Sequence, residues 1–222
     1  MPPSALIFDF NGVLVDDEPV HCELFQSVLR DQGLPLTRED YFQRYFVFDD
    51  ASVFRQIFAD AGRALNEPGV RALCDQKAAR YAALPSSSFR YYEGAESLAR
   101  DASRSVPVGI ASGARAAEIR RHLELRGLKA TFRAVVSIDD VSKGKPDPEP
   151  FLEAARRLGV TATGCVAIED SPGGIASARA AGMRVVAVTH SVARDRLQAD
   201  VVLDTLAGTT WEGLKEQLNR IQ

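Results

Sequence analysis

Asp9 lies in the run Ile7-Phe8-Asp9-Phe10-Asn11-Gly12, where an apolar strand pattern meets an acid and a glycine follows. A carboxylate at the C-terminal end of a buried strand lies where open α/β sheets hold their ligands. Three more segments read the same way. Gly109-Ile110-Ala111-Ser112-Gly113 offers a hydroxyl and free backbone N–H groups. Ser142-Lys143-Gly144-Lys145-Pro146-Asp147-Pro148 offers an ammonium at the start of a helix, and Val166-Ala167-Ile168-Glu169-Asp170-Ser171 offers two acids before a turn and helix. Mg²⁺ takes oxygen ligands and keeps waters and substrate phosphates in its shell. Two acids can hold such an ion, while Lys145 and the Ser112 hydroxyl take phosphate oxygens. A carboxylate not wholly given to the metal can attack phosphorus and form an aspartyl-phosphate. Metal and ammonium then stabilise the charge on the transferring group.

The elements that must present these groups follow from periodicity. Residues 5–10 are an almost continuous apolar run, as in a strand buried on both faces. Residues 18–32 switch to helical spacing, with Val20, Leu24, Val28 and Leu29 on one stripe, and Gly33 and Pro35 stop it. Two more helices are expected near 52–61 and 70–84, before the linker-like Pro85-Ser86-Ser87-Ser88. Beyond it, strand and helix patterns alternate: apolar 106–111, helical 116–126, apolar 134–138, helical 148–158, apolar 165–168, helical 174–181, then apolar 184–188 and 201–203. Alternation of this kind implies right-handed βαβ units and a parallel sheet. The first strand must join that sheet, because one strand is not stable alone. The expected fold is therefore α/β: a Rossmann-like parallel core from residues 1–16 and 87–222, with residues 17–86 inserted as an α-helical cap.

Composition excludes several classes. With 45% hydrophobic and 26% charged residues and a net charge of −3, there is no basic footprint for nucleic acid. No apolar stretch reaches the ~20 residues that span a bilayer, so no membrane partner is expected. The start Met1-Pro2-Pro3-Ser4 lacks a basic signal-peptide region. Cys22, Cys74 and Cys165 are odd in number and lack metal-type spacing, which points to reduced thiols. A cytoplasmic protein is the expectation, and the pattern leaves its oligomeric state open.

In order and spacing, Asp9-Phe10-Asn11-Gly12 with Asp16, Ser112, Lys145-Pro146-Asp147-Pro148 and Glu169-Asp170-Ser171 resemble the haloacid dehalogenase superfamily of phosphohydrolases. Within it, the chain is similar over essentially its whole length to the β-phosphoglucomutase-like group with a helical cap. The resemblance implies a Mg²⁺-dependent hydrolase of a small phosphorylated metabolite. Asp9 would be nucleophile and metal ligand, Asp170 a second ligand and Glu169 a support of the metal. Ser112, with Gly113 beside it, and Lys145 would hold the phosphoryl group. His21 sits where group relatives carry a hinge histidine, and Lys77 where related caps point a lysine at substrate. The segment 45–50 falls where relatives place a specificity loop.

Each assignment has a plainer reading. Glu169 and Asp170 could cap the following helix, His21 and Lys77 could be surface residues of helices, and segment 45–50 could be packing. His122 and His190 read as ordinary surface or rim residues. The departure from the family pattern is Asn11. Relatives that are phosphatases or mutases have an Asp there, which moves a proton to and from the substrate, while its metal contact is made by the backbone carbonyl. Asn11 keeps the metal contact and loses the proton. Four explanations stand: a substrate with a good leaving group, a proton from His21 or Glu18, a binding module that holds a phosphorylated ligand without turnover, or a deliberately introduced change. A sugar-phosphate mutase leans hardest on the missing carrier.

Overall fold

The computed structural model describes residues 3–46 and 48–220. In chain order the strands are β1 (Ala5–Phe8), β2 (Val15–Asp16), β3 (Arg90–Tyr91), β4 (Val108–Ala111), β5 (Ala134–Val136), β6 (Cys165–Glu169), β7 (Arg184–Val188) and β8 (Val201–Leu203). The helices are α1 (Glu18–Asp31), α2 (Arg38–Asp40), α3 (Asp50–Asp60), α4 (Glu67–Ala83), α5 (Ala95–Ala102), α6 (Ala116–Leu125), α7 (Glu149–Leu158), α8 (Pro172–Ala180) and α9 (Trp211–Asn219). Two compact units result. One takes the described residues up to Asp16 and from Tyr91 onward; the other is Asp17–Arg90.

The first unit is a six-stranded sheet ordered β5-β4-β1-β6-β7-β8, every pairing parallel. The chain runs outward from β1 through β4 to β5, then returns to the other side of β1 with β6. This is the Rossmann-like α/β arrangement that the alternation predicted. The reversal lies between β1 and β6, and open sheets of this order bind ligands outside the carboxyl ends of the strands at that point.

Both faces of the sheet are covered, which explains why its strands read as unbroken apolar runs. Leu6, Phe8, Val166, Ile168, Val186 and Val188 pack on one face with Leu98, Ile119 and Trp211. Ala5, Ile7, Cys165, Ala167, Val185 and Ala187 pack on the other with Phe151, Ala154 and Ile175. Hydrogen bonding continues one residue past several strands: Asp9 N donates to Ile168 O (2.8 Å), Ser112 N to Val136 O (2.9 Å) and Thr189 N to Leu203 O (3.0 Å). The residues after the strands are thereby held at the rim rather than on free loops.

The helical unit has its own core, in which Phe25, Val28, Leu29, Val53, Phe54, Ile57 and Leu73 come together from α1, α3 and α4. The aromatic segment 45–50 divides. Tyr45 ends a π-helical turn over Tyr41–Tyr45 and is buried, Phe48 is half exposed, Asp49 caps α3 by accepting from Ser52 N (3.0 Å), and Val47 lies outside the described residues. All three cysteines are buried and free. Among the described residues no helix is long and apolar enough to cross a membrane.

Phe8 is fully buried on the central strand and meets Phe132 edge-on at 5.9 Å. Phe8→Ala is therefore expected to destabilise the protein by about 3–5 kcal/mol. Urea unfolding followed by circular dichroism measures this, and a loss under 1 kcal/mol contradicts the packing account.

Candidate active site

Asp9 follows β1, and Glu169 closes its neighbour β6, with Asp170 next. One oxygen from each of these three buried carboxylates can be chosen so that all lie within 4.8 Å of one another. Lys145 enters the group from the loop before α7. Its Nζ lies 2.7 Å from Asp9 Oδ1 and 2.6 Å from Glu169 Oε1, and 5.0 Å from the centre of the Phe151 ring. The neighbouring Lys143 is exposed, as a solvated lysine should be.

Local chemistry explains how the loop presents Lys145. The Glu149 carboxylate accepts from Ser142 N and Lys143 N, both at 2.9 Å, and closes the loop on the first turn of α7. Asp147 N donates to Gly144 O (3.0 Å), and Ser177 Oγ of α8 donates to Asp147 O (2.5 Å). Glu169 is oriented as tightly. Its Oε2 accepts from Asp170 N (3.1 Å) and Ser171 Oγ (3.1 Å), leaving Oε1 to Lys145. The N-cap of α8 is Ser171, whose Oγ accepts from Gly174 N (3.1 Å). Glu169 and Asp170 therefore do not occupy the N-cap position.

Two glycines are required by close approach. A Cβ on Gly174 would lie 1.9 Å from Glu169 Oε1. A Cβ on Gly12 would lie 1.8 Å from Asp170 Oδ2, and Gly12 also has φ +75°, a backbone state that disfavours side chains. Gly113, by contrast, faces open space.

Burying like charges together shifts their protonation. Burial pushes the Asp9 carboxyl up to about 7; Lys145 opposes the rise and Glu169 adds to it. Burial likewise lifts Asp170 well above the carboxylate range, reinforced by the charges of Glu169 and Asp9. Burial would lower the Lys145 ammonium, but Asp9 and Glu169 outweigh it and hold its pKa above the usual value. Three hard oxygen donors and one cation in a dry site suit a small divalent cation beside a phosphate.

Ser112 is buried at the end of β4, beside β1, and its Oγ accepts from Ala114 N (3.0 Å). Asn11 is half-buried in the turn between β1 and β2 and forms a bridge with Val15. His21 and Lys77 lie in the helical unit and are joined to each other: Lys77 Nζ is 2.7 Å from His21 Nδ1 and 2.7 Å from Asp50 Oδ1. His21 Nε2 is 3.2 Å from Asp17 Oδ2, which also accepts from Tyr81 OH (2.6 Å). Burial and the Lys77 charge push His21 down, yet Asp17 and Glu18 bring its pKa above the ordinary value. Burial also raises Glu18, which accepts from Tyr41 OH (2.5 Å). Neither His21 nor Lys77 is a surface residue: Lys77 is 1% exposed.

The sequence reading of His122 as a surface or rim residue is corrected. His122 is buried, its Nδ1 2.8 Å from Tyr91 OH, because its helix turns that face toward Phe10. His190 is half-buried just past β7, as a rim residue would be, its Nδ1 2.8 Å from Gly12 O. Burial lowers its pKa. Next to it, Ser191 Oγ donates a short hydrogen bond to Asp170 Oδ2. Neither His190 nor Ser191 carries a spacing signal; only the position after β7 could have marked them.

Comparison with known proteins decides the family. The sequence model described as haloacid dehalogenase-like hydrolase matches residues 6–188. The chain belongs to that family. It is 32% identical over 187 residues to fructose-1-phosphate phosphatase YqaB of Escherichia coli, covering 83% of this chain and 96% of that protein. It is 30% identical over 211 residues to validoxylamine A 7'-phosphate phosphatase of Streptomyces hygroscopicus subsp. limoneus, covering 94% and 96%. In fold it matches a β-phosphoglucomutase from Clostridium difficile with TM-score 0.86 and 22% identity, covering 99% of this chain and 98% of the other.

The raised Asp9 pKa sets a pH dependence. In the metal-free protein the folded state holds a proton on Asp9 between 3.8, the ordinary value, and about 7, where the unfolded chain does not. The Asp9 contribution to stability is therefore full below that window and falls as pH rises through it. Asp170 acts in the same direction. Urea unfolding in EDTA should show stability falling across this range, with a shallower fall in Asp9→Asn. An unchanged slope in that variant refutes the assignment.

Proposed function

We propose that the protein is a phosphoric monoester hydrolase that acts on a small phosphorylated metabolite through an aspartyl-phosphate at Asp9. The observation that carries this reading is the convergence of Asp9, Glu169, Asp170 and Lys145 at the sheet's switch point. The two curated relatives, named as phosphatases of fructose 1-phosphate and of validoxylamine A 7'-phosphate, support the substrate class.

The chemistry divides into two displacements. An Asp9 oxygen attacks phosphorus as the ester P–O bond breaks and the alkoxide or aryloxide departs with the bonding pair. Water then attacks phosphorus, releasing inorganic phosphate and restoring the carboxylate. Lys145 donates hydrogen bonds to the phosphoryl oxygens, and the Ser112 hydroxyl and Gly113 N–H are assigned to the same group. Asp9, Glu169, Asp170 and the Asn11 backbone carbonyl would hold Mg²⁺. When bound, the ion supplies positive charge that offsets the carboxylates and the transferring phosphoryl group. The helical unit is read as a substrate-selecting cap.

Asn11 determines which esters react. Alkoxide leaving groups need a proton that an amide does not give, whereas p-nitrophenolate leaves unaided. General acid–base assistance is worth about 10²- to 10⁴-fold. A sugar-phosphate mutase, which needs that proton at both hydroxyls, is disfavoured for the same reason. Asn11 equally favours a second reading, a phosphate-ligand-binding protein with weakened turnover.

With Mg²⁺, p-nitrophenyl phosphate should be hydrolysed, and Asp9→Asn should abolish turnover. Absence of wild-type turnover together with Mg²⁺-dependent phosphate binding selects the binding reading. Asn11→Asp should raise kcat toward sugar phosphates by about 10²-fold or more and change p-nitrophenyl phosphate hydrolysis far less. An equal change on both ester types rules out the missing-proton account.

A further inference from the structure

The loop after β7 brings two adjacent side chains to the two acids' strands. Thr189 anchors it, its N–H on Leu203 O (3.0 Å) and its Oγ1 3.2 Å from Asp204 Oδ1. The His190 Nδ1 lies 2.8 Å from the Gly12 carbonyl, in the turn that follows Asp9. Its ring lies flat on Tyr92, centroids 3.8 Å apart and planes within 7°. Ser191 Oγ donates to Asp170 Oδ2. A carbonyl only accepts, so Nδ1 must carry the proton.

The need for such a device follows from Gly12. Glycine has the widest backbone freedom of any residue, and here it sits one position past Asn11 and three past Asp9. Its backbone also runs so close to Asp170 that a Cβ would overlap Oδ2, and that Cβ would lie 2.9 Å from Ser191 Oγ. A small rotation of this turn would change the spacing between Asp9 and Asp170, which arrive on different strands. The His190 hydrogen bond restrains the Gly12 carbonyl, and the stack on Tyr92 restrains the imidazole.

We propose that His190 and Ser191 are paired positioning residues: His190 holds the Asp9 turn through the Gly12 carbonyl while Ser191 orients Asp170. The two acids then keep a fixed spacing toward one cation and one phosphorus. This inference rests on the phosphoryl-transfer reading of Asp9. Residues behind metal ligands commonly contribute about 10- to 100-fold in affinity or activity.

The full-length protein carrying His190→Phe keeps a flat ring for Tyr92 and loses the donor. Its kcat on p-nitrophenyl phosphate should fall about 10-fold or more with KM nearly unchanged. His190→Asn, which places an N–H near the Nδ1 position, should recover most of that loss. Ser191→Ala should weaken Mg²⁺ binding, measured by calorimetry with the metal alone, by about 10-fold. In the wild-type protein, ¹⁵N NMR of His190 should show a neutral ring protonated at Nδ1. Wild-type kcat in His190→Phe overturns the proposal, as does no recovery in His190→Asn, unchanged Mg²⁺ affinity in Ser191→Ala or protonation at Nε2. If His190→Phe does not fold, the Asn variant, the calorimetry and the tautomer still decide. If the wild-type protein hydrolyses nothing, the phosphoryl-transfer reading fails alone, while the Mg²⁺ affinity and the tautomer still test the positioning pair.

Discussion

Three carboxylates buried within a few ångströms of one another repel, and the Lys145 ammonium between Asp9 and Glu169 makes the arrangement tolerable. Removing charges from water costs several kcal/mol per ion, which mutual attraction offsets only with good geometry and further hydrogen bonds. The surroundings supply both. Glu149 closes the loop that carries Lys145, and backbone and Ser171 donors saturate the far oxygen of Glu169. The compensation is incomplete, as the upward shifts of Asp9 and Asp170 record. A site with surplus negative charge is poised for a cation.

That surplus explains the placement of the small residues around it. Gly12 and Gly174 stand where a methyl group would overlap Asp170 or Glu169. The glycines admit the acids, the lysine neutralises part of their charge, and the sheet brings both strand ends to one rim. A rigid parallel sheet suits this task because its strand ends are fixed by packing on both faces.

The helical unit holds a second buried polar cluster built on the same logic. Asp17, His21, Asp50 and Lys77 are joined by short polar contacts, with Tyr81 supplying a hydroxyl. Asp50 and Lys77 lie on α3 and α4, and His21 on α1, so the cluster links three helices that otherwise meet through aliphatic and aromatic side chains. Glu18 and Tyr41 extend it from α1 to the turn before α3. A charged cluster of this kind constrains helix register, since a slip of one residue would strand a buried charge.

Much was legible in the sequence because period and chemistry are local. The apolar run ending at Asp9, the strand–helix alternation after residue 106 and the order of Asp9, Ser112, Lys145 and Glu169-Asp170 are written along the chain, and they were enough for fold class and family. Asn11 was equally plain, since residue type alone decides whether a proton can be carried. Three things needed the folded chain. His122 reads as a polar residue on an amphipathic helix, and only packing against Phe10 and Tyr91 buries it. His190 and Ser191 acquire partners 178 and 21 residues away, distances over which no periodicity carries information. The protonation of Asp9 depends on how many charges share one dry volume, and that number exists only after the strands are laid side by side.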